Sequence, residues 1–169
     1  AEAFKKADKE KEAEVNLLVE KIFMEASAEV ENTEITVNAV KDTTIVRGEN
    51  NENSMVVSTG SSKIVLGKEA GISTASGSSS TTAKLTLDGN RDYIEANNLE
   101  SGALVVANGG EVEIHDNVVI RNNVNNTVGY GGAVLIANGQ DELNIQATFE
   151  NCSSTNGGGA VAVVSQQEN

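Results

Sequence analysis

Apolar residues recur at every second position along most of this chain, in short runs broken by glycine, serine and asparagine. Alternation of that kind marks strands with one buried face. It begins at Thr33: Ile35, Val37 and Ala39 alternate with polar residues, and residues 43–48 follow as a second run. Beyond them the runs fall into repeating sets of three strands. First strands are expected at 54–58, 103–107, 133–137 and 160–164, second strands at 63–66, 111–114 and 142–145, and third strands at 85–90, 118–123 and 147–152.

Three segments of the chain superimpose. Gly102-Ala103-Leu104-Val105-Val106-Ala107-Asn108-Gly109 matches Gly132-Ala133-Val134-Leu135-Ile136-Ala137-Asn138-Gly139, and a further copy opens at Gly159-Ala160-Val161. These copies lie 30 and 27 residues apart, the length of a three-strand coil with variable corners. Units of this kind cannot bury their apolar face alone and must stack on one another. The expected fold is therefore all-β, a right-handed parallel β-helix over residues 33–169, with three strands per coil as in pectate lyases. Proline is absent, as suits ladders in which nearly every N–H is used.

Alternation assigns the inward side chains. The first wall takes Met55, Val57, Leu104, Val106, Val134, Ile136, Val161 and Val163. The second takes Ile64, Leu66, Val112, Ile114, Leu143 and Ile145, and the third Leu85, Leu87, Val118, Ile120, Ala147 and Phe149. Outward on the first wall the same reading places Val56, Val105, Leu135 and Ala162, an exposed apolar stripe and the candidate binding surface. Longer polar inserts, such as 73–82 and 91–101, are expected as loops at the corners.

Residues 1–30 read differently. Phe4, Ala7, Val15, Leu18, Val19, Ile22, Phe23 and Ala26 recur at three- and four-residue spacing between charges, which predicts an amphipathic helix. Such a helix would cap the open end of the coil or lie along its side. At the other end, Gln166-Gln167-Glu168-Asn169 follows a single strand of a new set, so the parent protein is expected to continue.

Composition narrows the partners. The net charge of −13 repels nucleic acid and anionic membrane surfaces. Aromatics make up only 3% of the chain, too few for a stacking platform. No apolar stretch approaches the length of a membrane span, and no signal peptide precedes Ala1. The single cysteine, Cys152, reads as a small buried hydrophobe. Asn125-Asn126-Thr127 and Asn151-Cys152-Ser153 fit the glycosylation pattern.

Gly-Gly-Ala-Val at 131–134 and 158–161, with Ser-Gly-Ala-Leu at 101–104, is similar to the GGA[ILV] signature of the polymorphic outer-membrane proteins. Their second signature, FxxN, resembles Leu87-Asp88-Gly89-Asn90, Ile120-Arg121-Asn122-Asn123 and Phe149-Glu150-Asn151-Cys152, the last with Cys in place of the final Asn. The resemblance covers residues 85–164. It implies an autotransporter adhesin passenger, secreted and displayed on the bacterial surface, in virulence-related cell adhesion to a host protein or glycan.

Polysaccharide lyases and hydrolases share this architecture, so catalysis is the competing class. Such a site needs carboxylates converging on one face, often with calcium. Glu113 and Asp116 belong to one coil, with Val65, Asn144 and Gln146 as column neighbours, and so do not cluster. His115, the only histidine, is expected to project outward into solvent beside them. Asp92, Glu95 and Glu100 form a loose loop group. No nucleophile-elbow, phosphate-loop or Cys/His metal spacing occurs, so neither cofactor nor metal is expected. The reading is a non-catalytic scaffold. Its alternatives are a fragment of a carbohydrate-active enzyme and a structural stalk or self-assembling fibre joined through the coil ends.

Overall fold

The computed structural model describes residues 12–68, 82–127, 129–138 and 143–164. Its strands wind through five coils. The first holds β1 (Glu12–Leu17), β2 (Lys21–Met24) and β3 (Ala28–Val30), the second β4 (Glu34–Ala39), β5 (Thr43–Arg47) and β6 (Val56–Thr59). The third holds β7 (Lys63–Leu66), β8 (Leu85–Asp88), the helical turn α1 (Arg91–Ala96) and β9 (Val105–Asn108). The fourth holds β10 (Glu111–Ile114), β11 (Val118–Asn125) and β12 (Val134–Ala137), the fifth β13 (Asn144–Ile145), β14 (Thr148–Ser154) and β15 (Val161–Val164).

Corresponding strands stack in parallel into three five-stranded sheets: β1-β4-β7-β10-β13, β2-β5-β8-β11-β14 and β3-β6-β9-β12-β15. The chain is a parallel β-helix. Its core is one column of small aliphatic side chains running the length of the stack.

In the β1 sheet, Ile35, Ile64 and Val112 pair across the strands, as do Val37, Leu66 and Ile114. In the β2 sheet, Thr43, Leu85 and Val118 form one inward column and Ile45, Leu87 and Ile120 the next. These inward walls are the expected ones. Leu143 and Val163, also expected inside, are 46% and 64% exposed because they belong to the last coil, where no further described strand covers them.

The β3 sheet differs from expectation by one residue. Val105 pairs with Val134, not with Leu135, and Val56 pairs with Val105. Val56, Val105 and Val134 therefore point inward and are 0–1% exposed. Val57 and Val106, expected inside, point out, while Met55 and Leu104 are buried at the corner that precedes the strands. A one-residue shift moves every side chain to the opposite face.

The expected helix over 1–30 is corrected where the chain is described: residues 12–30 form β1, β2 and β3, paired with β4, β5 and β6, while residues 1–11 lie outside the described residues. Ala13, Val15 and Ile22 pack against the core, whereas Leu18, Val19 and Phe23 are exposed. The ammonium of Lys21 lies 4.8 Å from the centre of the Phe23 ring. Phe4 and Ala7, residues 73–81 of the long insert, and Gln166–Asn169 lie outside the described residues.

Where β11 bends from one sheet toward the next, its asparagines do two jobs. Asn122 and Asn151 sit in the left-handed region, with φ of 50° and 51°, and the Asn151 amide donates to Asn122 Oδ1 at 3.1 Å. Asn122 in turn donates to Asp88 Oδ2 at 3.1 Å. A side-chain ladder thus climbs the bend, carried by the residue type that tolerates this backbone best after glycine. Asn123, the last residue of the FxxN-like motif, turns inward, is fully buried, and donates to Gly102 O at 3.1 Å.

Candidate functional site

The outer face of the β3 sheet carries a continuous apolar column, Val57–Val106–Leu135–Ala162, each residue in register with the next. Of the stripe expected from sequence, Leu135 and Ala162 stand on this face, half-buried. Val56 and Val105 belong to the core, and Val57 and Val106 take their places outside. Glu29 heads the column, paired with Val57.

The first part of this column forms one wall of a groove of about 480 Å³. Its rim is polar and tied down. Ser27 Oγ donates to Ser54 O, and Asn53 N donates to Asn51 Oδ1 at 3.2 Å. On the opposite lip, Asn125 Nδ2 donates to Gly131 O at 3.0 Å and Thr127 Oγ1 to Asn125 Oδ1 at 2.9 Å. An apolar floor with fixed hydroxyl and amide edges binds by shape and hydrogen bonding. Two carboxylates, Glu29 and Glu52, also line it. Asn125 is 1% exposed with its amide engaged in this rim, so it is closed to glycosylation as folded.

Two of the acids singled out as catalytic candidates, Glu113 and Glu95, are engaged in ion pairs. Glu113 accepts from Lys63 at 2.8 Å and from Asn144 at 3.2 Å. The hydrogen bond from Lys63 holds its carboxyl below the usual carboxylate range, and the same bond raises the Lys63 ammonium. A carboxylate so held favours the anion over the protonated, proton-donating form.

His115 is not solvated: it is 7% exposed, with Nε2 3.4 Å from Glu113 Oε1. Stacking in the β1 sheet covers a residue that alternation alone would leave outside. Asp116 is exposed and Glu95 pairs with Arg91 at 2.8 Å within α1. Among the described residues no three His, Cys, Asp or Glu side chains come together as metal ligands. Cys152 is half-buried, its thiol pushed up by burial and directed at the carbonyls of Glu150 and Ile120.

Two features escaped the sequence. Arg47 is completely buried, with Nη2 donating to Gly102 O at 2.8 Å and Nε and Nη1 without partners. On the outer face of the β1 sheet, a second groove of about 450 Å³ runs past Glu14, Asn38 and His115. Gly67, which follows β7, lines it with them. No helix among the described residues is long and apolar enough to cross a membrane. No family model, curated protein or solved structure matches the chain.

Proposed function

We propose that this chain is a non-catalytic binding scaffold, an adhesin-type right-handed β-helix displayed on a bacterial surface and akin to the polymorphic outer-membrane passengers. The observation that carries this reading is the Val57–Val106–Leu135–Ala162 column beside a groove with a rigid polar rim. Contiguous apolar surface of this kind on an otherwise acidic chain favours contact with another molecule. Its chemistry suits a host protein surface or a glycan, whose ring faces are apolar and whose hydroxyls match the Ser and Asn edges. Catalysis by the acids singled out in the sequence is disfavoured because Glu113 is held by Lys63, Glu95 by Arg91, and Asp116 faces solvent.

The test is a glycan-array and host-cell binding screen, run on the wild-type chain and on Leu135→Glu. Binding by the first that is lost in the second, with melting unchanged, supports the reading. Turnover of polyuronides would replace it with the enzyme reading, and concentration-dependent fibres with the structural one.

A further inference from the structure

The outer column of the β3 sheet is apolar except at one end. In β3, Ala28 and Val30 are buried and Glu29 between them points out, so the column runs Glu29–Val57–Val106–Leu135–Ala162 in register. One carboxylate thus stands directly beside a ridge of aliphatic side chains. Glu52 lines the same groove.

Among the described residues neither carboxylate has a cation for a partner. The lysines and arginines that form ion pairs do so with Glu20, Asp88, Glu95 and Glu113, and none lines this groove. A partner that covered Glu29 without bringing a cation would desolvate an unpaired carboxylate, which costs binding energy. A second copy of this chain, with its net charge of −13, is repelled.

The spacing of the column decides the shape of the partner. Strands stack about 4.8 Å apart, so Val57 to Ala162 spans about 14 Å in three steps. A helix returns a side chain to one face about every 5.4 Å and drifts only about 2 Å over those steps. An extended peptide returns one about every 6.8 Å and drifts about 6 Å, more than a whole level. A helix follows the column level by level; a strand does not.

Resting on the reading of this column as a binding surface, we infer that its partner is a basic amphipathic helix of another protein. That helix lies along the coil axis, its apolar stripe on Val57, Val106 and Leu135 and a lysine or arginine one turn beyond the stripe, at Glu29. The sheet supplies the apolar contact, and the carboxylate fixes the direction and register of the helix.

The probe is a helical peptide built on alanine and glutamine, with one Lys a turn ahead of three Leu at three- and four-residue spacing. It is titrated into the full chain by calorimetry at low salt, and amide chemical shifts locate it. The control peptide carries Glu in place of that Lys. The Lys peptide is expected to bind about tenfold more tightly, since the attraction gained and the repulsion removed at an exposed pair are each worth a few-fold. Its shifts should centre on Glu29, Val57, Val106 and Leu135.

Glu29→Gln should erase that preference. Glu34→Gln, which removes the same charge from the outer face of the β1 sheet, should leave it. Both residues are exposed, so neither variant disturbs the fold. Equal loss in the two variants would reduce the preference to the general pull of an acidic chain and overturn the inference. Equal binding of the two peptides, or binding of neither, overturns it as well. A neutral glycan that shifts this column when neither peptide does sinks the inference alone and leaves the binding scaffold standing. Peptide binding unchanged by Leu135→Glu sinks the reading of the column, and the inference with it.

Discussion

Arg121 Nε donates to Asp88 Oδ2 at 2.8 Å, from the strand position that the β11–β8 register sets directly beside it. On its other side Arg121 is in register with Glu150, so acid, base and acid alternate up one outward column of the β2 sheet. Arg121→Glu replaces that order with three acids in a row. A partly exposed pair contributes about 0.2–1 kcal/mol. With the added repulsion, the variant should lose about 1 kcal/mol at low ionic strength, roughly 2–4 °C in Tm. Thermal melts at rising salt should recover much of the loss, since screening acts on exposed charges.

Val105 and Val106 give opposite outcomes when charged. Val105 is fully buried and faces Val134 and Val56 in the core. Val105→Asp strands a carboxylate there and should cost about 4 kcal/mol or more, abolishing cooperative melting. Val106→Asp lies on the outer column and should stay within about 1 kcal/mol of wild type. Circular-dichroism melts of the two variants test the register directly. The reverse order would restore the inward assignment of Val106.

Arg47→Met should not destabilise the fold. The guanidinium is fully buried, two of its nitrogens lack partners, and burial lowers its pKa to about 10. Gly102 O keeps the Asn123 amide when the arginine is removed. Met24, the in-register neighbour, shows that a thioether side chain fits this wall. Replacing a poorly paired buried charge by a packed hydrophobe stabilises by about 1–2 kcal/mol. A base whose folded pKa lies below its unfolded one weakens the fold at every pH under the folded value. The advantage of Arg47→Met should therefore be full at neutral pH and narrow as pH rises past about 10. Chemical denaturation across that range measures it.

The Lys63–Glu113 pair sets a pH window. Glu113 is lowered in the fold, so its contribution is present above the unfolded carboxylate pKa and is lost as pH falls through the folded value. Lys63 is raised, so its contribution is present below the unfolded ammonium pKa and is lost as pH climbs through the folded one. Both groups are partly exposed, so the pair is worth about 1 kcal/mol or less. Glu113→Gln should lower stability by about that much at neutral pH. The difference should vanish in acid, below the folded pKa of Glu113, and shrink again in strong base.

Gly132→Ala tests why the Gly-Gly-Ala signature has its second glycine. A Cβ there would lie 1.9 Å from Gly159 O and 2.7 Å from the Ser153 backbone, from the next coil. Backbone cannot yield as a flexible side chain does, so the substitution should cost about 2–4 kcal/mol. A melt indistinguishable from wild type would show that the coils can separate at this corner.

The sequence by itself determined the coil and two of its three walls. In Glu111-Val112-Glu113-Ile114 each apolar side chain is flanked by charge, and only one register buries the apolar set. The first wall was ambiguous for the same reason in reverse. Leu104-Val105-Val106 and Val134-Leu135-Ile136 are apolar at three successive positions, so either register places a hydrophobe inside. Inter-coil hydrogen bonds such as Val105 N to Ala133 O settled it.

Tertiary stacking also overrode local preference in residues 12–30. Glu, Lys and Ala favour a helix there, but β1, β2 and β3 gain a full ladder from the coil below, which an isolated segment does not offer. The groove past Asn38 and His115 was equally out of reach. Asn38, Gly67 and His115 are far apart in sequence, and only the parallel ladder sets them in one column. Alternation reports which face a side chain takes. How deeply its neighbours in the stack bury it is decided only when the coils close on one another.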